Sequence, residues 1–102
     1  MKVALVSYPR EIKKGGETVE IIGVLPPSVN EENANMFFNR LQKRFGNSLE
    51  ISKGRSDVNS PEIFQIIRQV YADSLQDVRG KAEQFAAILR DTLPYEAQTV
   101  PR

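Results

Sequence analysis

The sequence predicts a small α+β protein in which a β-hairpin and a third strand form a sheet with helices on one face. Two β-branched runs flank a Gly-Gly pair near the N-terminus. Apolar residues recur every three to four positions in two later segments. Ile, Val, Leu and Phe make up 29 of 102 residues, which is enough for a hydrophobic core. The predicted order is β-β-α-β-α, in two packed layers.

The first 25 residues are predicted to contain the hairpin. Val3 to Tyr8 and Thr18 to Leu25 are apolar and partly β-branched, and β-branched side chains favour strands. Gly15 and Gly16 lie between them, and a Gly-Gly pair suits a two-residue turn because both residues readily adopt positive φ angles. We therefore expect the two strands to pair antiparallel around this turn.

A turn centred on the glycine pair also sets the register of the hairpin. It places Val6 opposite Leu25 and Tyr8 opposite Gly23, so that the aromatic ring covers a position without a side chain. Pro9 has no backbone N–H to donate to a neighbouring strand. The first strand is therefore expected at an edge of the sheet, or with a bulge at the proline.

The segment after Pro26-Pro27 is predicted to be a helix over residues 29–45. Ser28 and Glu31 have the spacing of a capping box, in which both side chains accept hydrogen bonds from backbone N–H groups at the helix start. Gly46 is a typical residue just beyond a helix end. A short third strand is expected over residues 47–52. The apolar positions at helical spacing are Ala34, Phe37, Phe38, Leu41 and Phe45.

Residues 61–93 carry the most regular apolar pattern. Ser60-Pro61 is typical of a helix start, and apolar residues then recur with a period close to 3.6 as far as Leu93. One helix of this span would be ~50 Å long. Two alternatives stay open: one long helix, or two helices separated by a turn between residues 73 and 80. Ser74 and Asp77 resemble a second capping box there, and Gly80 weakens a helix.

The C-terminal end is predicted to lie outside the folded part of the chain. Pro94 ends the helical pattern, and the residues after it are short and polar with a further proline. Such ends are usually frayed. We therefore expect a single α+β domain over residues 1–93 and a short polar C-terminal tail over residues 94–102.

The composition removes several kinds of chemistry. The chain has no Cys and no His, so it offers no thiolate or imidazole zinc site and no Ser–His or Cys–His pair for catalysis. The first apolar run is shorter than a signal-peptide core, and no run reaches the ~18 residues of a membrane span. We expect a cytoplasmic protein that is not an enzyme, holds no metal or cofactor and does not enter a membrane.

The first functional hypothesis is a small regulatory module that binds proteins and forms a homodimer. A long C-terminal helix would extend beyond its own domain and expose its distal apolar stripe, and such stripes mark interaction sites. A second, different protein is a further candidate partner. The residues expected at the interface are Leu75, Val78, Ala82, Phe85, Ala86 and Leu89.

The alternative hypothesis is a nucleic-acid-binding accessory protein. The basic residues concerned are Lys13, Lys14, Arg40, Lys43, Arg44, Lys53 and Arg55. Three of them lie three and four positions apart on the first helix and share one face of it. The formal net charge is only +1, glutamates flank the hairpin tip, and no aromatic residue is interleaved for base stacking. Nucleic-acid binding is therefore the less favoured hypothesis.

Overall fold

The computed structural model describes residues 2–102 and confirms the α+β fold. Met1, which belongs to the predicted domain, lies outside the described residues. The elements are β1 (Val3–Tyr8), β2 (Glu17–Val24), α1 (Glu31–Phe45), β3 (Leu49–Gly54), β4 (Ile63–Ala72), α2 (Leu75–Thr92) and β5 (Glu96–Pro101). A single 3-10 turn, Gly46–Ser48, joins α1 to β3.

The five strands form one sheet in the order β3-β4-β2-β1-β5. β1 and β5 are parallel, and every other neighbouring pair is antiparallel. Each helix crosses between strands that are not neighbours: α1 joins β2 to β3 past β4, and α2 joins β4 to β5 past two strands. This is a split β-α-β connection used twice.

Both helices cover the same face of the sheet. α1 lies over β3 and β4, and α2 lies over β1, β4 and β5. Val6, Gly23 and Ile66 are side by side on this face and are buried. A Cβ atom at Gly23 would lie 3.2 Å from the Phe85 ring and 3.3 Å from Leu89, so glycine lets α2 approach the central strand closely.

Residues 63–72 correct the helical prediction, because they form the strand β4. Phe64, Ile66 and Val70 are buried beneath the helices, while Ile67 on the opposite side is partly buried. A strand inside a sheet has apolar residues on both faces, and their combined spacing resembles a helical period. The β-branched content of this segment is the signal that favoured a strand.

The helix of this region begins at the second capping signal. Ser74 is the N-cap of α2, and its Oγ accepts a hydrogen bond of 3.1 Å from the Asp77 N–H. α2 then continues through Gly80 to Thr92. Neither the single helix from residue 61 nor two helices is observed: a strand and one helix meet at residues 73–74.

The C-terminal residues correct the prediction of a frayed tail. β5 pairs in parallel with β1 from Val3 opposite Glu96 to Tyr8 opposite Pro101. Arg102 continues the contact, since its N–H donates to the Tyr8 carbonyl at 2.8 Å. Parallel pairing with residues 93 positions away leaves no local pattern in the sequence, and proline is tolerated because it lies on an edge strand.

The hairpin forms with a different register. Val6 is opposite Gly23 rather than Leu25, a shift of two residues that keeps every side chain on its predicted face. β1 ends at Tyr8, before Pro9, and is an interior strand between β2 and β5 rather than an edge. Gly15 and Gly16 have φ angles of 92° and 94°, within a loop that is longer than a two-residue turn.

The start of α1 also differs from the prediction. Asn30, not Ser28, is the N-cap, and its side chain accepts a hydrogen bond of 2.8 Å from the Asn33 N–H. The far end follows the prediction, because the Gly46 N–H donates to the Gln42 carbonyl with a φ of 66°. Ala34, Phe37 and Leu41 of the predicted apolar stripe are buried.

Candidate functional site

The six residues predicted at a self-association interface lie on α2, but five of them face the core of the same chain. Ala82, Phe85 and Ala86 are fully buried, as are Val78 and Leu89. Leu75, in the first turn, is 43% exposed. The structure therefore corrects the location of the expected surface, because the apolar stripe of α2 packs on the chain's own sheet and is not accessible to a partner.

Two of the basic residues predicted for nucleic-acid binding are paired with carboxylates. Lys53 Nζ lies 3.0 Å from a Glu31 oxygen and 3.7 Å from a Glu62 oxygen. Arg55 Nη2 lies 2.8 Å from the other Glu62 oxygen. The hydrogen bond to Glu31 and the two nearby negative charges raise the pKa of Lys53. These ion pairs reduce the positive field that Lys53 and Arg55 would offer to phosphates.

The remaining basic residues do not join them in one surface. Lys13 and Lys14 belong to the β1–β2 loop, which the Tyr71 hydroxyl contacts by donating to the Gly15 carbonyl at 2.9 Å. Lys53 is opposite Phe64 at the other end of β4, and the seven residue steps from Phe64 to Tyr71 span about 23 Å. Arg40, Lys43 and Arg44 are exposed on α1. The predicted set is therefore divided among separate parts of the molecule.

A shallow groove of about 510 Å³ lies where the β2–α1 connection meets the ends of β3 and β4. Its walls include the start of α1 and the ion-paired residues Glu31, Lys53, Arg55 and Glu62. The two positive and two negative side chains balance each other. The groove has no excess charge to select an ionic ligand, and we assign it no role.

Within residues 2–102, Arg68 is the one charged side chain on the helix-covered face without a polar partner. Its guanidinium carbon lies 4.4 Å from the centre of the Phe45 ring. Nε and Nη1 have no hydrogen-bond partner among residues 2–102. Burial lowers the pKa of Arg68. Because Phe45 ends α1, the aromatic face and the negative end of the helix dipole both stabilise this cation.

The face of the sheet opposite the helices, which we call the open face, is not covered by any element of residues 2–102. Its apolar side chains are contributed by four of the five strands and lie next to one another across the sheet, as the strand registers show. All are partly accessible, and Leu5 is 41% exposed. These side chains are Val3, Leu5, Ile22, Val24, Ile63, Ile67 and Val100.

Polar and acidic side chains surround this apolar centre. Glu50 and Glu96 lie on the two edge strands, and Glu20 lies on β2 beyond Ile22. None of the three makes an ion pair with a residue of the described chain. Arg102 is the nearby cation, and its guanidinium donates to the Ser7 and Glu20 carbonyls at 3.0 and 2.7 Å. An apolar centre with a polar rim is the usual anatomy of a protein interface.

Sequence reasoning did not identify the open face, although its signal is present. In β1 and β4 the apolar residues do not alternate with polar ones, so both faces of each strand are apolar. Such strands are usually covered on both sides. Here one side carries two helices and the other side carries none.

Two further observations concern residues 2–102. Among them, no group of three or more Asp and Glu side chains is close enough to hold a metal ion. No helix in this part of the chain has both the length and the apolar character needed to cross a membrane. Comparison with protein-family models, with curated proteins and with solved structures gave no match to the chain.

Proposed function

We propose that this protein is a small, non-catalytic regulatory module that binds proteins through the open face of its sheet. The observation that carries the proposal is the contiguous apolar centre of that face, framed by Glu20, Glu50 and Glu96. Contiguous exposed apolar surface costs free energy in water and is found mostly at interaction sites. The proposal keeps the predicted kind of function and moves its surface from α2 to the sheet.

The non-catalytic part of the proposal is supported by the chemistry of the groups with shifted pKa values. The hydrogen bond from the Asp73 N–H and the Lys81 ammonium lower the pKa of Asp77, which lies in the first turn of α2. The pKa of Lys53 is raised by a surface ion pair. The pKa of Arg68 is lowered by burial. All three shifts have structural causes. A cytoplasmic location is part of the proposal, since a chain without cysteine needs no oxidising compartment.

Nucleic-acid binding remains the second candidate and has less support. It would rest on the exposed cluster of Arg40, Lys43 and Arg44 alone, because Lys53 and Arg55 are ion-paired. A footprint of three phosphate contacts gives weak binding that salt readily abolishes.

Photo-crosslinking from single positions tests the proposal. Leu5 on the open face and Met36 on α1 are both 41% exposed, so a photoreactive phenylalanine analogue at each forms a matched pair. In cells producing the protein, we expect a discrete adduct from position 5 and none from position 36. The substitution Ile67→Gln, within the apolar centre, should reduce the adduct from position 5.

The proposal fails if position 5 gives no adduct, or if the two positions give the same products. The same products from both positions would mean that the label reacts by random collision rather than at a defined surface.

A further inference from the structure

We propose that the occupant of the open face is a second copy of this chain, packed sheet against sheet about a two-fold axis. This inference rests on the proposed function and names its partner. Three features of the open face support it: its area, the side chains in its middle row and the position of its charges.

The area of the open face is sufficient for a weak dimer. Five strands about 4.8 Å apart, each rising about 3.3 Å per residue over roughly six residues, cover about 500 Å². A two-fold axis through Leu5 and Gln65 opposes about five residues on each of β1, β3, β4 and β5 to their copies, so two faces would bury roughly 650 Å² in total, which is the size of a weak, transient contact. Two twisted sheets pack face to face with their strands nearly aligned, as in a sandwich.

The middle row of the open face has the side chains that a two-fold axis requires. This row crosses the sheet as Ser52, Gln65, Val24, Leu5 and Gln98, and every member is opposite the next in the observed registers. If the two-fold axis lies between the two sheets and parallel to this row, each residue of the row faces the same residue of the second copy. Aliphatic side chains pack against themselves, and an amide or hydroxyl group has both a donor and an acceptor for its copy. A charged residue here would meet its own charge, and none is present.

The acidic residues lie off this row. The same axis places Ile67 against Ile63 of the second copy, since they are two residues on either side of Gln65 on β4. It places Glu50 against the second copy's Gly54, and Glu20 beyond the end of β2. No glutamate meets a glutamate. A partner with a basic surface would use these carboxylates as its main contacts, whereas the two-fold arrangement leaves them at the rim.

Mass measurement by light scattering on the full chain tests the inference. We expect the mass to rise from the 11.5 kDa of the monomer towards twice that value between about 5 and 200 µM protein. Because the contact is apolar and the rim is acidic, the dimer should be as strong or stronger when NaCl is raised from about 50 to 500 mM.

Two isosteric variants on one strand make the test specific. Gln65→Glu places two like charges on the axis and should weaken the dimer at least tenfold, by the repulsion of adjacent charges. Gln69→Glu adds the same charge to β4 at a position off the row, where the axis places no sheet residue opposite, and should change the dissociation constant less than about threefold. Far-UV circular dichroism checks that both variants keep the fold.

The outcomes separate the occupant from the surface. A monomer at every concentration, a dimer that salt dissociates, or equal effects of the two variants overturns the second copy as occupant. If the protein is monomeric and position 5 still crosslinks to a different protein, the proposed function stands without this inference. If position 5 gives no adduct at all, the proposed function fails as well.

Discussion

Gly15 and Gly16 have nearly the same φ angle but lie in different surroundings. Their φ angles of 92° and 94° lie in a region that side chains disfavour. No atom of the described chain lies within 4 Å of a Cβ built on Gly15. A Cβ on Gly16 would meet the Tyr71 hydroxyl group and lie 2.9 Å from the Ala72 carbonyl oxygen. The positive φ angle favours glycine at both positions. At Gly16 the nearby atoms of β4 also leave no room for a side chain.

The two alanine variants should therefore differ in stability. Gly15→Ala carries only the conformational strain, about 1–2 kcal/mol. Gly16→Ala adds a clash with the backbone of β4, where overpacking costs roughly 1–3 kcal/mol more. Urea unfolding followed by circular dichroism measures both free energies of unfolding. Equal losses in the two variants would show that Tyr71 and β4 move away without cost.

At the scale of elements, the passage from β4 to α2 depends on three residues. Asp77 Oδ2 accepts from the Asp73 N–H at 3.1 Å and from Lys81 Nζ at 3.2 Å, while Ser74 caps the helix. These bonds satisfy backbone N–H groups that a helix start leaves free. With these hydrogen bonds the chain passes from β4 to α2 through residues 73 and 74 alone. α2 therefore packs back across the sheet directly after β4.

Because of Asp77, the stability of the connection between β4 and α2 should decrease in acid. The hydrogen bond from Asp73 and the Lys81 ammonium hold the pKa of Asp77 below its ordinary value of 3.8 in the folded protein. A carboxyl group whose pKa is lower when folded stabilises the fold above its unfolded pKa. The contribution is lost as the pH falls through the folded value. Wild type should therefore be more stable than Asp77→Asn at pH 7, and this difference should disappear in strong acid.

Urea midpoints at both pH values test this expectation, with Asp91→Asn as the control. Asp91 lies in the last turn of α2, where a negative charge faces the negative end of the helix dipole. The control variant should therefore lose no stability at pH 7. A difference between wild type and Asp77→Asn that persists in strong acid contradicts the assigned role of the carboxylate.

For the whole molecule, the two faces of the sheet differ in burial. The covered face holds the core, in which Ile21, Ile66, Phe85 and Leu89 are almost completely buried. Phe85 also contacts Phe45 edge to face, with ring centres 5.6 Å apart, which joins α2 to the end of α1. The open face adds little to the core, so its residues are free to differ without loss of the fold.

Glutamate substitutions on the two faces should therefore have unlike effects. Leu89→Glu buries an unpaired charge and is expected to unfold the protein, with a loss of at least about 3 kcal/mol. Leu5→Glu introduces its charge on the accessible face and should cost less than about 1 kcal/mol. Thermal unfolding measures both. If the Leu89→Glu protein is folded and monomeric, the association surface would be α2 rather than the open face.

Local physical rules in the sequence alone determined the elements with strong ends. The end of α1 at Gly46 and the apolar stripe from Val78 to Leu89 follow from hydrogen-bonding needs and side-chain period within a few residues, whereas the capping signal at Ser74 was only one of two alternatives left open for residues 61–93. The α+β class followed from the same signals. The faces of β1 and β2 were also predictable, because a shift of two residues leaves a strand's faces unchanged.

Only the tertiary structure decided which segments became interior strands and what the apolar stripe of α2 covers. The sequence of β4 looked helical because both of its faces are apolar. Its place inside the sheet depends on pairing with β2 and β3. β5 is short and polar, and it is ordered by pairing with β1 at the far end of the chain. The open face exists because both helices cross on one side of the sheet. No residue records that choice locally, since burial is a property of the packed chain rather than of a sequence window.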